Sequence, residues 1–269
     1  MAYVLKKVYA GRTVEIEKYY DFKNNRGIGE KRMPKMELSP EAKLELNERQ
    51  AEKKLRRLMN ANFTNDSWYL TMDCIREDGE EYATKDEMKQ MLESFQRKCR
   101  AFWKKHGSEL RYISVMAVGS RSARHFHLVL SECSGIDYKE MRKALQDIWD
   151  NVYLKGTKKK RSYIHLENLY GDNYGDLAAY FIKQAKVTMA AVGHKIGNRW
   201  NASKNLKKPV VIKRIIENRR AFKQEIKVPK GFYIDEKYTD RGIGKAEYGG
   251  YEYCRYVLIR MDISERRKR

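Results

Sequence analysis

Between Ser67 and Lys186 the hydrophobic pattern switches repeatedly between a period of two residues and a period near 3.6, and the order of these switches limits the fold more than any other feature. SWYLTMDC (67–74) alternates as a half-buried strand does. Thr84 followed by Glu87 forms a capping box. It opens a helix with Met88, Met91, Leu92, Phe95, Cys99, Phe102 and Trp103 at helical spacing. RYISVMAV (111–118) and HFHLVL (125–130) are strands, and the six residues GSRSAR between them are short enough for a hairpin. Asp137 and Glu140 form a second capping box, before a helix carrying Met141, Leu145, Ile148 and Trp149. SYIHLE (162–167) is a fourth strand. The turn-rich GDNYGD (171–176) ends in Asp176, a cap for the last helix, LAAYFIKQAK. The order β-α-β-β-α-β-α predicts an α+β fold with a ferredoxin- or RRM-like antiparallel sheet. Helices cover one face, the other is left open, and strands 67–74 and 125–130 are central neighbours.

The flanks read differently. Tyr3–Tyr9 and Val14–Tyr20 are β-like, and the loop NNRGIGEKRMP follows them. Ser39-Pro40 then starts a basic helix to about Ala61. Its thin stripe of Leu44, Leu55, Leu58 and Met59 predicts that it lies on the surface of another element. Beyond Gly193 the pattern predicts loops, a helix near 213–225, a turn at PKG (229–231) and a strand near Tyr253–Met261. RGIG at 26–29 recurs at 241–244 and reads as chance or as two similar turns rather than as a true repeat. Three segments are expected: basic strands and helix at 1–63, a core at 64–192, and a basic extension at 193–269.

Composition matters for the partner. Fifty-seven Lys and Arg against 36 Asp and Glu leave a net charge of +21 and a pI near 9.7. Such an excess attracts polyanions, and phosphate contacts usually dominate nucleic-acid affinity. Nineteen tyrosines and four tryptophans offer faces for unpaired bases, which favours a single-stranded partner. No run of about 18 apolar residues exists, so no membrane partner is expected. The opening MAYVLKKVYAGR lacks the apolar stretch of a secretory signal, and four scattered cysteines without a CxxC pair fit a reducing cytoplasm.

His125 and His127 flank Phe126 within one strand, so both imidazoles face one side while Phe126, Leu128 and Leu130 face the other. The apolar set must face the helices, which puts the histidine pair on the open face. Two imidazoles at this spacing can chelate one divalent ion. Parity on 67–74 turns Tyr69, Thr71 and Asp73 to the same face. On 162–167 it turns His165 and Glu167 there, so Asp73 or Glu167 is the candidate third ligand.

On the last helix Ala178, Phe181, Ile182, Ala185 and Met189 cluster on one side at about 100° per residue. Tyr180 lies almost opposite, with Lys183 one turn on. A phenol has an ordinary pKa near 10 and is a poor nucleophile until a cation stabilises its anion. A divalent metal can polarise a phosphodiester under attack. Together these features suit transfer of a DNA strand onto tyrosine.

These residues resemble the motifs of the HUH endonuclease superfamily, in its replication-initiator branch, related to the gene II proteins of filamentous phages. WYLTM (68–72) is similar to the first motif, HFH (125–127) to His-hydrophobic-His, and Tyr180-x-x-Lys183 to the Tyr-x-x-Lys helix; the match spans roughly 63–190. NERQAEKKLRRLMNANF (47–63) and NASKNLKKP (201–209) resemble segments that flank this core. The resemblance implies a site-specific DNA endonuclease and strand transferase that starts rolling-circle replication of a phage, plasmid or integrated element. His125 and His127 would ligate Mg2+ or Mn2+, Tyr180 would be the nucleophile, and Lys183 would stabilise the phenolate or the scissile phosphate. Lys186 and the basic loop Lys158, Lys159, Lys160 and Arg161 would contact DNA. Relatives often carry glutamate on the strand before the histidines. RYISVMAV has none, so Asp73, Glu167 or water must complete the ligand set. No GxxxxGK[ST] is present, so a host helicase and a host polymerase are the expected partners at the origin. A non-catalytic origin- or RNA-binding module on the same fold, and a single-tyrosine transposase, are the alternatives.

Overall fold

The computed structural model describes residues 3–21, 39–75, 81, 83–118, 123–154, 157, 162–192, 198–216, 225–243 and 251–261. Its elements are β1 (Tyr3–Ala10), β2 (Thr13–Tyr20), α1 (Pro40–Asn62), β3 (Trp68–Cys74), α2 (Lys85–Lys105), β4 (Tyr112–Val118), β5 (Arg124–Leu130), α3 (Tyr138–Tyr153), β6 (Tyr163–Asn168), α4 (Gly175–Val192), β7 (Asn201–Ala202), β8 (Val210–Ile216), β9 (Phe232–Ile243) and β10 (Glu252–Arg260). They form two compact units, one of residues 51–206 and one of 1–50 with 207–269.

The unit 51–206 has the α+β, RRM-like architecture read from the pattern. Its antiparallel sheet runs β6-β3-β5-β4-β7, with β3 and β5 as central neighbours. Both capping boxes form, Thr84 with Glu87 and Asp137 with Glu140. The apolar sides of α2 and α3 close over one sheet face. Leu70, Met72, Phe126, Leu128, Ile164 and Leu166 meet Phe95, Trp103, Leu145 and Trp149 in one core.

The second face is open only in part. A second core joins Leu55, Met59 and Phe63 at the end of α1 to Ile113, Val115 and Val129 of the sheet and to Ala178, Phe181, Ile182 and Ala185 of α4. The stripe on α1 therefore does lie on another element, through its C-terminal half. Leu44 stays exposed. Asn60 bridges α1 to the start of α4: its Nδ2 donates to Asn173 Oδ1 at 2.8 Å, and its Oδ1 accepts from Tyr174 N at 2.9 Å. Asp176, expected as the cap of the last helix, lies inside its first turn, since α4 begins at Gly175.

The short β7 falls where the pattern predicts loop. It pairs with β4, and Ser203 and Asn205 just after it continue the edge: Tyr112 N donates to Ser203 Oγ at 3.1 Å and Asn205 Nδ2 to Leu110 O at 3.1 Å.

The other unit is also an antiparallel sheet, in the order β8-β1-β2-β10-β9. The expected strands near 3–9, 14–20 and 253–261 are present, with Val14, Ile16, Cys254, Tyr256 and Leu258 forming the core of this unit. The helix expected near 213–225 is corrected. Val210–Ile216 is the strand β8, paired with β1 from Tyr3↔Ile216 to Tyr9↔Val210. Five of its seven residues are β-branched, which suits a strand and disfavours a helix; 217–224 lie outside the described residues. The loop at 24–34 lies outside them as well.

Candidate active site

Three strands bring the site together because parity and register agree. β3 lies between β5 and β6, with Thr71 opposite both His127 and His165, and Asp73 opposite both His125 and Tyr163. Tyr69 sits one step further along, opposite Val129 and Glu167. The side chains of Tyr69, Thr71, Asp73, His125, His127, His165 and Glu167 share the face that α2 and α3 leave uncovered.

Tyr180 comes to this face from α4. Phe181 and Ile182 beside it are buried in the second core, which turns the neighbouring position toward the edge of the covered area. Its hydroxyl lies 3.0 Å from His127 Nε2, and the two rings meet edge to face at 5.0 Å. Tyr180 keeps 37% of its surface exposed, whereas His127 keeps 3%. The phenol is reachable from solvent while the imidazole holding it is not.

The other nitrogen of His127 is also engaged. Nδ1 lies 2.8 Å from the Tyr69 hydroxyl and 3.2 Å from Thr71 Oγ1. The Tyr69 ring stacks nearly parallel on the imidazole, 5.9 Å between centroids, and packs against Phe181. Burial pushes the His127 imidazole down from its ordinary 6.5 to about 3, with His125 adding to the shift. Burial also lowers His125, against the opposing pull of a backbone hydrogen bond and of Asp73. The Asp73 carboxyl is raised by burial, tempered by the two facing imidazoles of His125 and His165. Both members of the pair are therefore neutral imidazoles near pH 7, the form that donates a lone pair to a metal. Burial raises the Tyr69 phenol as well.

His125 and His127 rings lie 4.7 Å apart. Asp73 stands directly across from His125. Glu167 is on the far strand and is held by His165, Oε1 to Nε2 at 2.6 Å. Two imidazoles and a carboxylate are the right donor chemistry for a divalent cation. Among the described residues, however, no three His, Cys, Asp or Glu side chains already converge on one point. Lys183 is exposed one turn beyond Tyr180, and Lys186 is exposed on the following turn. Lys158, Lys159, Lys160 and Arg161 lie outside the described residues. Sequence parity put Tyr69 on this face and gave it no role; the β3–β5 register places it beside His127.

Residues 67–185 match the model of a family described as replication-associated proteins of the ORF2 and gene II protein type, so the resemblance carried by the three motifs holds over this core. No curated protein matches the chain. Among solved structures, the hypothetical protein ORF119 of Sulfolobus islandicus rod-shaped virus 1 is similar at 12% identity, covering 54% of this chain and 97% of its own, with a TM-score of 0.29. The N-terminal nuclease domain of minute virus of mice non-structural protein 1 is similar at 10% identity, covering 78% and 71%, with a TM-score of 0.23. Scores at this level do not establish a common fold.

Proposed function

With residues 67–185 carrying a replication-associated domain of the ORF2 and gene II protein type, we propose that this chain nicks and rejoins single-stranded DNA through a covalent bond to Tyr180, and so initiates rolling-circle replication. One observation carries the reading most directly: an accessible tyrosine hydroxyl lies 3.0 Å from a buried histidine, on the side of the sheet that α2 and α3 leave uncovered and α1 and α4 cover only in part.

In the reaction, Tyr180 Oη attacks the phosphorus of one phosphodiester. The bond from phosphorus to the 3′-oxygen breaks, and the 5′-phosphate becomes a phosphotyrosine. The tyrosine hydroxyl loses one proton and the released 3′-oxygen gains one. No phosphoester is lost, so the reverse attack by a 3′-hydroxyl rejoins the strand. Lys183, on the side of α4 that bears Tyr180, would neutralise the phenolate or the phosphate.

His125, His127 and Asp73 are the residues suited to hold Mg2+ or Mn2+, which when bound would polarise the scissile phosphodiester. Asp73 is preferred to Glu167 because it stands across from His125, whereas Glu167 is one strand further away and engaged by His165. Lys186 and the basic loop 158–161 would guide the strand by its phosphates. A host helicase would open the duplex, and a host polymerase would extend the 3′-hydroxyl.

The test uses 5′- and 3′-labelled single-stranded oligonucleotides from the element's own replicon, with manganese and a denaturing gel. The expected product is a metal-dependent adduct on the 3′ fragment, mapped by mass spectrometry to Tyr180. Binding without an adduct, across several candidate origins and metals, would instead favour the non-catalytic module.

A further inference from the structure

His127 is the most constrained polar side chain of the site. It is buried, and hydroxyls approach both of its nitrogens: Tyr180 at Nε2, Tyr69 and Thr71 at Nδ1. A neutral imidazole has a single proton, on one nitrogen or the other. With that proton on Nε2, the ring could only donate toward Tyr180, and it would have no lone pair there for a cation. With the proton on Nδ1, the Nε2 lone pair is free either to accept the Tyr180 O–H or to bind a metal.

We propose that Tyr69 is a positioning residue whose hydroxyl oxygen accepts the Nδ1–H of His127 and thereby fixes the imidazole with its Nε2 lone pair turned toward the nucleophile. Of the two hydroxyls at Nδ1, Tyr69 is the nearer, 2.8 Å against 3.2 Å for Thr71. Its ring cannot swing away freely, since it lies nearly parallel to the imidazole at 9° and packs on Phe181, the residue next to Tyr180. A phenol, with an ordinary pKa near 10, carries its proton near pH 7 and so offers both an O–H and oxygen lone pairs. Metal-binding histidines generally have the second nitrogen tied in this way, and loss of such a partner commonly costs about 10- to 100-fold in metal affinity or activity. Here the tie is a phenol on the neighbouring strand. The proposal rests on the preceding reading only for the roles of Tyr180 and the metal; the tautomer itself is independent of it.

The test compares the full-length protein with Tyr69→Phe, which removes the hydroxyl and keeps the ring, and with Tyr69→Leu, which removes both. Long-range 1H–15N spectra of the metal-free protein, with His127 assigned through His127→Gln, report which nitrogen carries the proton. The expected result is the Nδ1–H tautomer in the wild type and a mixed or Nε2–H population in Tyr69→Phe. Manganese affinity and the adduct rate at saturating oligonucleotide should fall about 10- to 100-fold in Tyr69→Phe, with oligonucleotide Kd unchanged. An Nε2–H tautomer in the wild type overturns the proposal, and this spectrum decides even if the variants fail to fold. So does a Tyr69→Phe protein with wild-type tautomer and rate, the loss appearing only in Tyr69→Leu. If the tautomer shifts as expected while the wild type forms no adduct, the role of Tyr69 stands and the nicking reading falls.

Discussion

Tyr180 and His127 are 53 residues apart along the chain and in hydrogen-bond contact across the site. If Tyr180 is the nucleophile, Tyr180→Phe abolishes the adduct in the labelled-oligonucleotide assay and leaves DNA binding near the wild-type level, since only one hydroxyl is lost. An adduct surviving in that variant would remove Tyr180 from the role. Joint His125→Ala and His127→Ala should abolish metal-dependent cleavage, read on the same gel with magnesium and with manganese. A pH effect also follows from the buried imidazole. His127 falls to about 3 in the fold and is near 6.5 in the unfolded chain, so the unfolded state binds more protons between those values. Its contribution to stability is full above about pH 6.5 and is lost as pH falls toward about 3. Asp73, raised by burial, acts in the opposite direction. Thermal melts at pH 7 and pH 5 should therefore show a larger loss for the wild type than for His127→Gln, in which the imidazole is gone and Asp73 remains. At this scale the sequence is informative about faces. Alternation alone puts His125, His127, Tyr69, Asp73 and Glu167 on one side of the sheet. It does not say which of them touch, because contact depends on how far each strand slides along its neighbour, and that offset leaves no trace in a single strand's pattern.

The elements of 67–186 are legible because each carries its own period and two helices carry their own capping boxes. The C-terminal half of α1 shows where such reading ends. Its stripe is thin, and its partners, Ile113, Val115 and Val129 of the sheet together with α4, lie far along the chain. The segments 47–63 and 201–209, legible only as similar to family flanks, have structural work: Leu55, Met59 and Phe63 complete the second core, Asn60 braces the entry to α4, and 201–205 finish the β4 edge. A fragment cut at 64–192 lacks all of these. It should melt well below a fragment of 51–206, or fail to fold, by circular dichroism, and an equal melting temperature would contradict the packing described. The strand at 210–216 reads as the start of a helix for a related reason. Its isoleucines, with Lys213 and Arg214 between them, satisfy either period, and the choice falls to its partner β1, at the other end of the chain.

For the whole molecule the governing quantity is charge. At +21, binding to a single strand should be led by phosphates, and each neutralised phosphate adds about −0.7 to the slope of log affinity against log salt. Affinity for a single-stranded oligonucleotide should fall about tenfold or more between roughly 50 and 200 mM salt, measured by fluorescence anisotropy, and a flat response would show that charge is not the main attraction. The overall architecture is the least legible part. The first and last strands are each recognisable, yet nothing local shows that β2 pairs with β10, from Thr13↔Ile259 to Lys18↔Cys254. That pairing also sets a schedule during synthesis. At roughly 5–20 residues per second, the β1–β2 hairpin leaves the ribosome on the order of ten to fifty seconds before β8 and β10. All of the strands and helices of 51–206 are translated in that interval, so the unit bearing Tyr180 can finish folding while the hairpin, bare along both edges, still waits for its neighbours.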